Sequence, residues 1–219
     1  MRLRRRLAAE GLGTAFLLAT VIGSGIMGER LAGGNVAIAL LANAVATGAA
    51  LVALIHAFGP ISGAHFNPAV TLVMMLRGEI SRRDTAAFIA VQIIAAYAGV
   101  ACAHLMFGEP LFFESLKART GLAQWWSEVV ATFGLITVIL ACARSSAAAL
   151  PYVVGAYITA AYWFTASTSF ANPAVTLARA ASNTFAGIRF ADAPMFIVAQ
   201  LAGALLAAVV MGWLLRGEE

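Results

Sequence analysis

Stretches of about 20 residues with almost no charge recur along the chain, and each could cross a hydrocarbon core roughly 30 Å thick. Of 219 residues, 62% are hydrophobic and only 11% are charged, which is too little charge for the surface of a soluble domain of this size. We predict six membrane-spanning helices, at about 7–27, 35–58, 85–106, 125–142, 151–167 and 194–215. The composition therefore indicates an all-α, multi-pass protein surrounded by a lipid bilayer.

Two further apolar segments, at about 68–76 and 173–181, are too short to cross. Each begins with Asn-Pro, a combination that favours a helix start, because Asn caps the first turn and Pro at the first helical position loses no hydrogen bond. Half-length helices at membrane depth are tolerated only where they are buried in protein or line a cavity. We therefore predict two re-entrant half-helices facing a cavity.

The two halves of the sequence repeat one another. The segment 66–72 corresponds to 171–177, Glu10 corresponds to Glu128, and Gln92 corresponds to Gln200. Each half carries three spans, an odd number, so the second half enters the bilayer inverted. The sequence thus predicts a single domain over 1–219, with inverted 3+3 repeats at about 7–106 and 125–215.

The distribution of positive charge predicts the orientation of the spans. With the N-terminus inside, nine positive residues fall on the cytoplasmic side: Arg2, Arg4, Arg5, Arg6, Arg77, Arg82, Arg83, Arg144 and Arg216. Five fall elsewhere: Arg30, Lys117, Arg119, Arg179 and Arg189. Because cytoplasmic loops carry the excess of Lys and Arg, we expect both termini to be cytoplasmic.

The segment 62–71, Ser-Gly-Ala-His-Phe-Asn-Pro-Ala-Val-Thr, resembles the first signature loop of the aquaporin (major intrinsic protein) superfamily. A second Asn-Pro-Ala stands at the corresponding place, 172–174, and the resemblance covers essentially the whole chain. Half-helices that meet head to head direct two positive dipole ends, each about half an elementary charge, against cations and protons. Asn67 and Asn172 would offer amide donors to a passing solute.

Three more residues are candidates for support of the pore loops. Glu10 and Glu128 lie within apolar spans, where carboxylates are costly and usually functional or paired. The resemblance implies that they hold the re-entrant loops through hydrogen bonds, and a proton relay is the alternative. His65 resembles the loop histidine of the family, which lines the pore or supports the loop.

The constriction of the pore departs from the family pattern. Most aquaporins place Arg directly after the second Asn-Pro-Ala, but this chain has Val175. Carried over by distance from the motifs, the other constriction positions fall on Thr47, Ala160 and Ser169. Four residues compete for the last two positions: Tyr162, Trp163, Phe164 and Phe170. The resemblance therefore implies a selectivity filter of small, uncharged side chains.

Arg179 follows Val175 by one helical turn, so both residues share a face. It is a candidate for the outer vestibule, where it would restore positive potential. Alternatively, its side chain extends to the membrane interface.

An arginine-free filter with Thr at the second-span position resembles a bacterial aquaglyceroporin subgroup associated with arsenic resistance. This resemblance implies a passive inner-membrane channel for small neutral solutes such as glycerol, arsenite and methylated arsenicals, with some water, assembled as a homotetramer. The alternatives are an ordinary water or glycerol channel and an ion-coupled transporter. We expect no enzyme activity, cofactor, metal site or nucleic-acid partner, because the spans contain no nucleophile–base pair or ligand cluster.

Overall fold

Residues 1–216 are described by a computed structural model and are folded mainly into α-helices. These are α1 (Leu3–Leu31), α2 (Val36–Ser62), α3 (Pro68–Leu76), α4 (Arg82–Phe107), α5 (Leu122–Ser145), α6 (Leu150–Phe164), α7 (Pro173–Arg179) and α8 (Ala193–Leu214). Single turns of 3-10 helix precede α6 and α8, at Ala147–Ala149 and Phe190–Asp192. Six helices are long and apolar enough to cross a membrane, whereas α3 and α7 are half-length. The predicted fold class is confirmed.

Local chemistry accounts for several helix boundaries. The side chain of Asn35 caps α2 by accepting from two backbone N–H groups. Helix α2 ends at Ser62 because the next residue, Gly63, has a φ of 94°, the left-handed conformation that glycine tolerates best. Helix α6 ends at Phe164, three residues before the predicted end, because Thr165 is extended (φ −111°, ψ 136°) and leads into the second re-entrant loop.

The helices pack as two similar halves. In the first half α1 lies against α2 and α4, in the second α5 lies against α6 and α8, and α2 with α6 joins the halves. In each half, one glycine of the third span allows close approach to the first span. A Cβ at Gly99 would overlap the carbonyl oxygen of Ala15, and a Cβ at Gly203 would overlap that of Val129. Small residues at helix crossings are what association in lipid requires.

Candidate functional site

The two half-helices meet at their N-terminal ends through reciprocal hydrogen bonds. The Asn67 Nδ2 donates to the carbonyl oxygen of Ala171 at 2.7 Å, and the Asn172 Nδ2 donates to that of Phe66 at 2.8 Å. Each Asn also caps its own helix, with Oδ1 accepting from backbone N–H groups of the first turn. Each amide therefore keeps a second N–H for a solute, and both Asn residues line the central cavity.

The loops before the two asparagines have an unusual backbone. In the first loop Ala64 and Phe66 have φ near +50°, and in the second Ser169 and Ala171 do so at corresponding positions. Non-glycine residues in the left-handed region each cost on the order of 1–3 kcal/mol, so surrounding contacts must impose this conformation.

Glu10 imposes it on the first loop. Its Oε1 accepts from the Ser62 hydroxyl at 2.7 Å and from the His65 N–H at 2.9 Å. Its Oε2 accepts from the Phe66 N–H and from the Gln92 amide, both at 2.8 Å. The carboxylate is fully buried and both of its oxygens are occupied, as expected for a group that holds a loop.

Glu128 occupies the equivalent place in the second half. Its two oxygens accept from the N–H groups of Phe170 at 2.9 Å and Ala171 at 2.8 Å. Gln200 donates to it at 2.6 Å, and also to the Thr176 hydroxyl at 2.8 Å. The inferred repeat thus extends to the hydrogen-bond network around each loop.

His65 both lines the cavity and contacts the first half-helix. Its Nδ1 lies 3.1 Å from the Thr71 hydroxyl, and its ring packs against Phe88. The two roles considered for it in the sequence are therefore compatible.

A central cavity of about 230 Å³ runs past the asparagine pair. Its wall extends from Met74, near the end of α3, to Arg179, at the end of α7. Because the two half-helices start at one meeting point and diverge, these residues lie towards opposite ends of the cavity. The remainder of the wall is largely aliphatic, with Leu17, Val21, Leu51, Leu135, Val154 and Ile158 among its residues.

Three of the four predicted filter residues line this cavity: Thr47, Ser169 and Val175. All three are buried, and the hydroxyl of Ser169 has no hydrogen-bond partner within the described residues. A fourth wall position belongs to Tyr162, whose hydroxyl lies 3.2 Å from that of Thr47.

The placement of Ala160 in the selectivity filter is wrong. Ala160 is exposed on the outer face of α6 and does not line the cavity. Val154, Ile158 and Tyr162 are spaced by four residues and form the inward stripe of the helix, whereas a residue two positions from Ile158 points about 200° away. The sequence had identified Tyr162 as a competitor, and the helical period favours it.

Arg179 also lines the cavity and is only 1% exposed, so its side chain does not extend to the membrane interface. Its Nε donates to the carbonyl oxygen of Ala186, and its guanidinium carbon lies 3.4 Å from the centre of the Phe170 ring. Within residues 1–216, its Nη1 has no hydrogen-bond partner. The four predicted filter residues are uncharged, but the wall beside them is not.

Arg119 is a residue that the sequence did not single out. It lies in the loop between α4 and α5, is 8% exposed, and donates to the carbonyl oxygens of Gly187 at 2.8 Å and Ser167 at 3.1 Å. Burial lowers its pKa to about 10, so it stays charged at neutral pH. Its guanidinium also faces Phe170, at 5.0 Å. Arg119 thereby ties the loop between α4 and α5 to the loop that precedes α7 and to the segment that follows it.

His104 also connects α4 to two other segments of the chain. It is fully buried near the end of α4, with Nδ1 at 2.7 Å from the carbonyl oxygen of Leu111 and Nε2 at 2.8 Å from the Ser182 hydroxyl. The contacts of Arg119 and His104 could not be predicted from the sequence. They join segments that are far apart in the chain, and no local sequence pattern specifies how such segments pair.

Among residues 1–216, no group of three or more His, Cys, Asp or Glu side chains is placed to hold a metal ion. Cys102 and Cys142 are both free thiols.

Comparison with known proteins agrees with this architecture. The sequence profile described as "Major intrinsic protein" matches residues 1–169 and 143–218. The aquaglyceroporin AqpS of Rhizobium meliloti is 58% identical over 214 residues, covering 98% of this chain and 91% of that protein. Aquaporin Z of Brucella melitensis is 28% identical, covering 96% of this chain and 97% of that protein.

A solved structure has the same fold. The X-ray structure of the aquaglyceroporin from Plasmodium falciparum superimposes with a TM-score of 0.72 at 20% identity, covering 95% of each chain. The paired half-helices, the cavity between them and these matches lead to one conclusion: the chain belongs to the major intrinsic protein family of membrane channels, which are not enzymes.

Proposed function

We propose that this chain is a passive channel for small neutral polar solutes: glycerol and other polyols, arsenite and methylated arsenicals, with some water. The observation that carries the proposal is the cavity wall beside the asparagine pair, where Thr47, Ser169 and Val175 leave hydroxyl and methyl groups towards the solute. Solutes with several hydroxyl groups suit such a wall, since they need a few donors and acceptors along a largely apolar path.

The same geometry supports passive transport over ion coupling. A coupled transporter needs a carboxylate that can bind and release a proton or ion near the midplane. The Glu10 and Glu128 carboxylates are buried, and all four of their oxygens already accept hydrogen bonds from the pore loops or from glutamines. Releasing either carboxylate would free a strained loop.

One observation favours the narrower alternative of an ordinary water or glycerol channel. Tyr162 takes the wall position that the sequence assigned to an alanine, and this larger side chain lies beside Thr47 in the cavity wall. Relative fluxes separate the two readings, because a wide filter passes arsenite and glycerol readily whereas a narrow one passes mainly water.

Stopped-flow light scattering of proteoliposomes with water, glycerol, urea and arsenite tests the proposal. We expect glycerol and arsenite to equilibrate faster than in empty liposomes, with rates independent of pH or sodium gradients. Accumulation of solute against its own gradient, driven by either ion, would contradict a passive channel.

Four further features belong to the proposal: a bacterial inner-membrane location, cytoplasmic termini, one pore domain over 1–219 with inverted repeats, and a homotetramer. Native mass spectrometry in detergent tests the tetramer. The topology is tested by introducing single cysteines and measuring whether a membrane-impermeant thiol reagent labels them from outside the cell. We expect Leu116→Cys, in the exposed loop before α5, to react and Arg77→Cys, in the exposed turn after α3, to be protected.

A further inference from the structure

Arg179 is a buried charge without a counter-ion. Its side chain is the largest of the fully buried ones, and none of the four ion pairs formed within residues 1–216 includes it. A buried, unpaired guanidinium is costly in a protein interior, and more so at membrane depth. A residue with this energetic cost is usually retained because its charge has a function.

The guanidinium is held rigidly in one place. Nε donates to the Ala186 carbonyl oxygen on one side, and the Phe170 ring stacks against the guanidinium plane. Phe170 is fixed in turn by the bond from its N–H to Glu128 and by the Phe196 ring, 5.2 Å away. A cation fixed in this way acts on the cavity as a preorganised charge.

Helical geometry brings this charge back towards the filter. Helical side chains lean towards the N-terminus of their helix, so a residue one turn after Val175 covers the level of Val175 itself. Both residues line the cavity, together with Ser169 of the preceding loop. The long side chain of Arg179 can therefore supply the positive charge that Val175 lacks.

Two polar groups in this part of the wall lack partners within the described residues: the Nη1 of Arg179 and the hydroxyl of Ser169. Both are at least nine-tenths buried and both residues face the cavity. Buried polar groups are almost always hydrogen-bonded, so two orphans at one place indicate a missing partner.

We propose that Arg179 and Ser169 form a solute subsite at the outer end of the pore, in which Nη1 donates to a solute oxygen, the serine hydroxyl pairs with a solute hydroxyl group, and the guanidinium charge excludes cations. This subsite rests on the proposed function, since it takes the same neutral, hydroxyl-bearing solutes. The arginine missing after the second Asn-Pro-Ala is thus replaced from one turn further along the chain.

The test compares Arg179→Gln, Arg179→Lys and wild type in proteoliposomes, by glycerol flux and by cation leak reported with a pH-sensitive dye and a sodium indicator. We expect Arg179→Gln to raise proton or sodium leak by about tenfold or more, because the fixed charge is gone. Arg179→Lys should keep cation exclusion but lower glycerol flux, because it retains the charge and loses the planar donor.

Arg189→Gln is the matched control, since it removes an exposed arginine from the same side of the protein. Equal leak in Arg189→Gln and Arg179→Gln would overturn the subsite, and so would an Arg179→Gln protein with wild-type leak and flux. If Arg179→Gln does not fold, as judged by size-exclusion chromatography, the double variant Val175→Arg/Arg179→Gln replaces it. We expect that protein to exclude cations, and leak from it despite a monodisperse profile would overturn the proposal. A wild-type protein that passes no solute would instead contradict the proposed function itself.

Discussion

The hydroxyl groups of Thr47 and Tyr162 lie 3.2 Å apart and connect α2 to α6 at the wall of the central cavity. This contact lowers the hydrogen-bonding capacity that the two side chains offer to a solute, because each hydroxyl occupies part of the other's.

Replacing Tyr162 with Ala should widen the pore at the selectivity filter. We expect glycerol flux to rise by about threefold or more, since a barrier lower by less than 1 kcal/mol has that effect. Stopped-flow measurements on proteoliposomes check this. Ala160→Val is the matched control, because residue 160 lies on the outer face of the same helix. A fall in glycerol flux in Ala160→Val, with no change in Tyr162→Ala, would restore Ala160 to the filter.

Val175→Arg should narrow and charge the filter. A barrier higher by about 1.4 kcal/mol corresponds to a tenfold lower flux, which we expect for glycerol and arsenite but not for water. The added guanidinium would also lie next to Arg179, within one turn on the same face, so some loss of stability is expected. Unchanged glycerol flux in a folded variant would remove Val175 from the constriction.

Glu10→Gln should destabilise the protein by at least about 3 kcal/mol, because a charged acceptor contributes about 1.5–3 kcal/mol per hydrogen bond. Whichever end the new amide nitrogen takes, it faces two donors: the Ser62 hydroxyl and His65 N–H, or the Phe66 N–H and Gln92 amide. Thermal unfolding in detergent measures the loss.

The exposed Glu114→Gln serves as the control for that variant. A stable Glu10→Gln protein that had lost only a pH-dependent flux would support the proton-relay role in place of loop support.

Lys117 should show a pH-dependent contribution to stability. It is the only lysine in the sequence. Partial burial of the ammonium group, together with repulsion from Arg119 and Arg179, lowers its pKa from 10.5 to about 8. Between pH 8 and 10.5 the unfolded chain binds more protons than the folded one, so the free energy of unfolding rises with pH in that window.

Thermal unfolding across this range checks the sign, and Lys117→Met should remove the contribution. Reductive ¹³C-methylation gives a direct reading, because a single lysine signal is expected beside that of the N-terminal amine. A signal that titrates near the ordinary lysine value would show that the ammonium group is solvated.

The sequence alone predicted six spans, two half-helices and the pairing of the repeats. Those features rest on local chemistry: apolar length, the Asn-Pro helix start, and motifs at corresponding positions. The repeat matched Glu10 to Glu128 and Gln92 to Gln200. The structure adds that each glutamate accepts a hydrogen bond from the glutamine of its own half, because equivalent positions in a duplicated fold meet equivalent neighbours.

Only the tertiary structure decided which side chains complete the pore. The choice between Ala160 and Tyr162 depends on the rotation of α6 against α2, which motif spacing across a loop of unknown path does not specify. The position of Arg179 depends on a carbonyl and an aromatic ring from other segments, Ala186 and Phe170. The sequence determined the helical scaffold through local periodicity. Contacts between distant segments decided where the charge of Arg179 and the aromatic ring of Tyr162 lie.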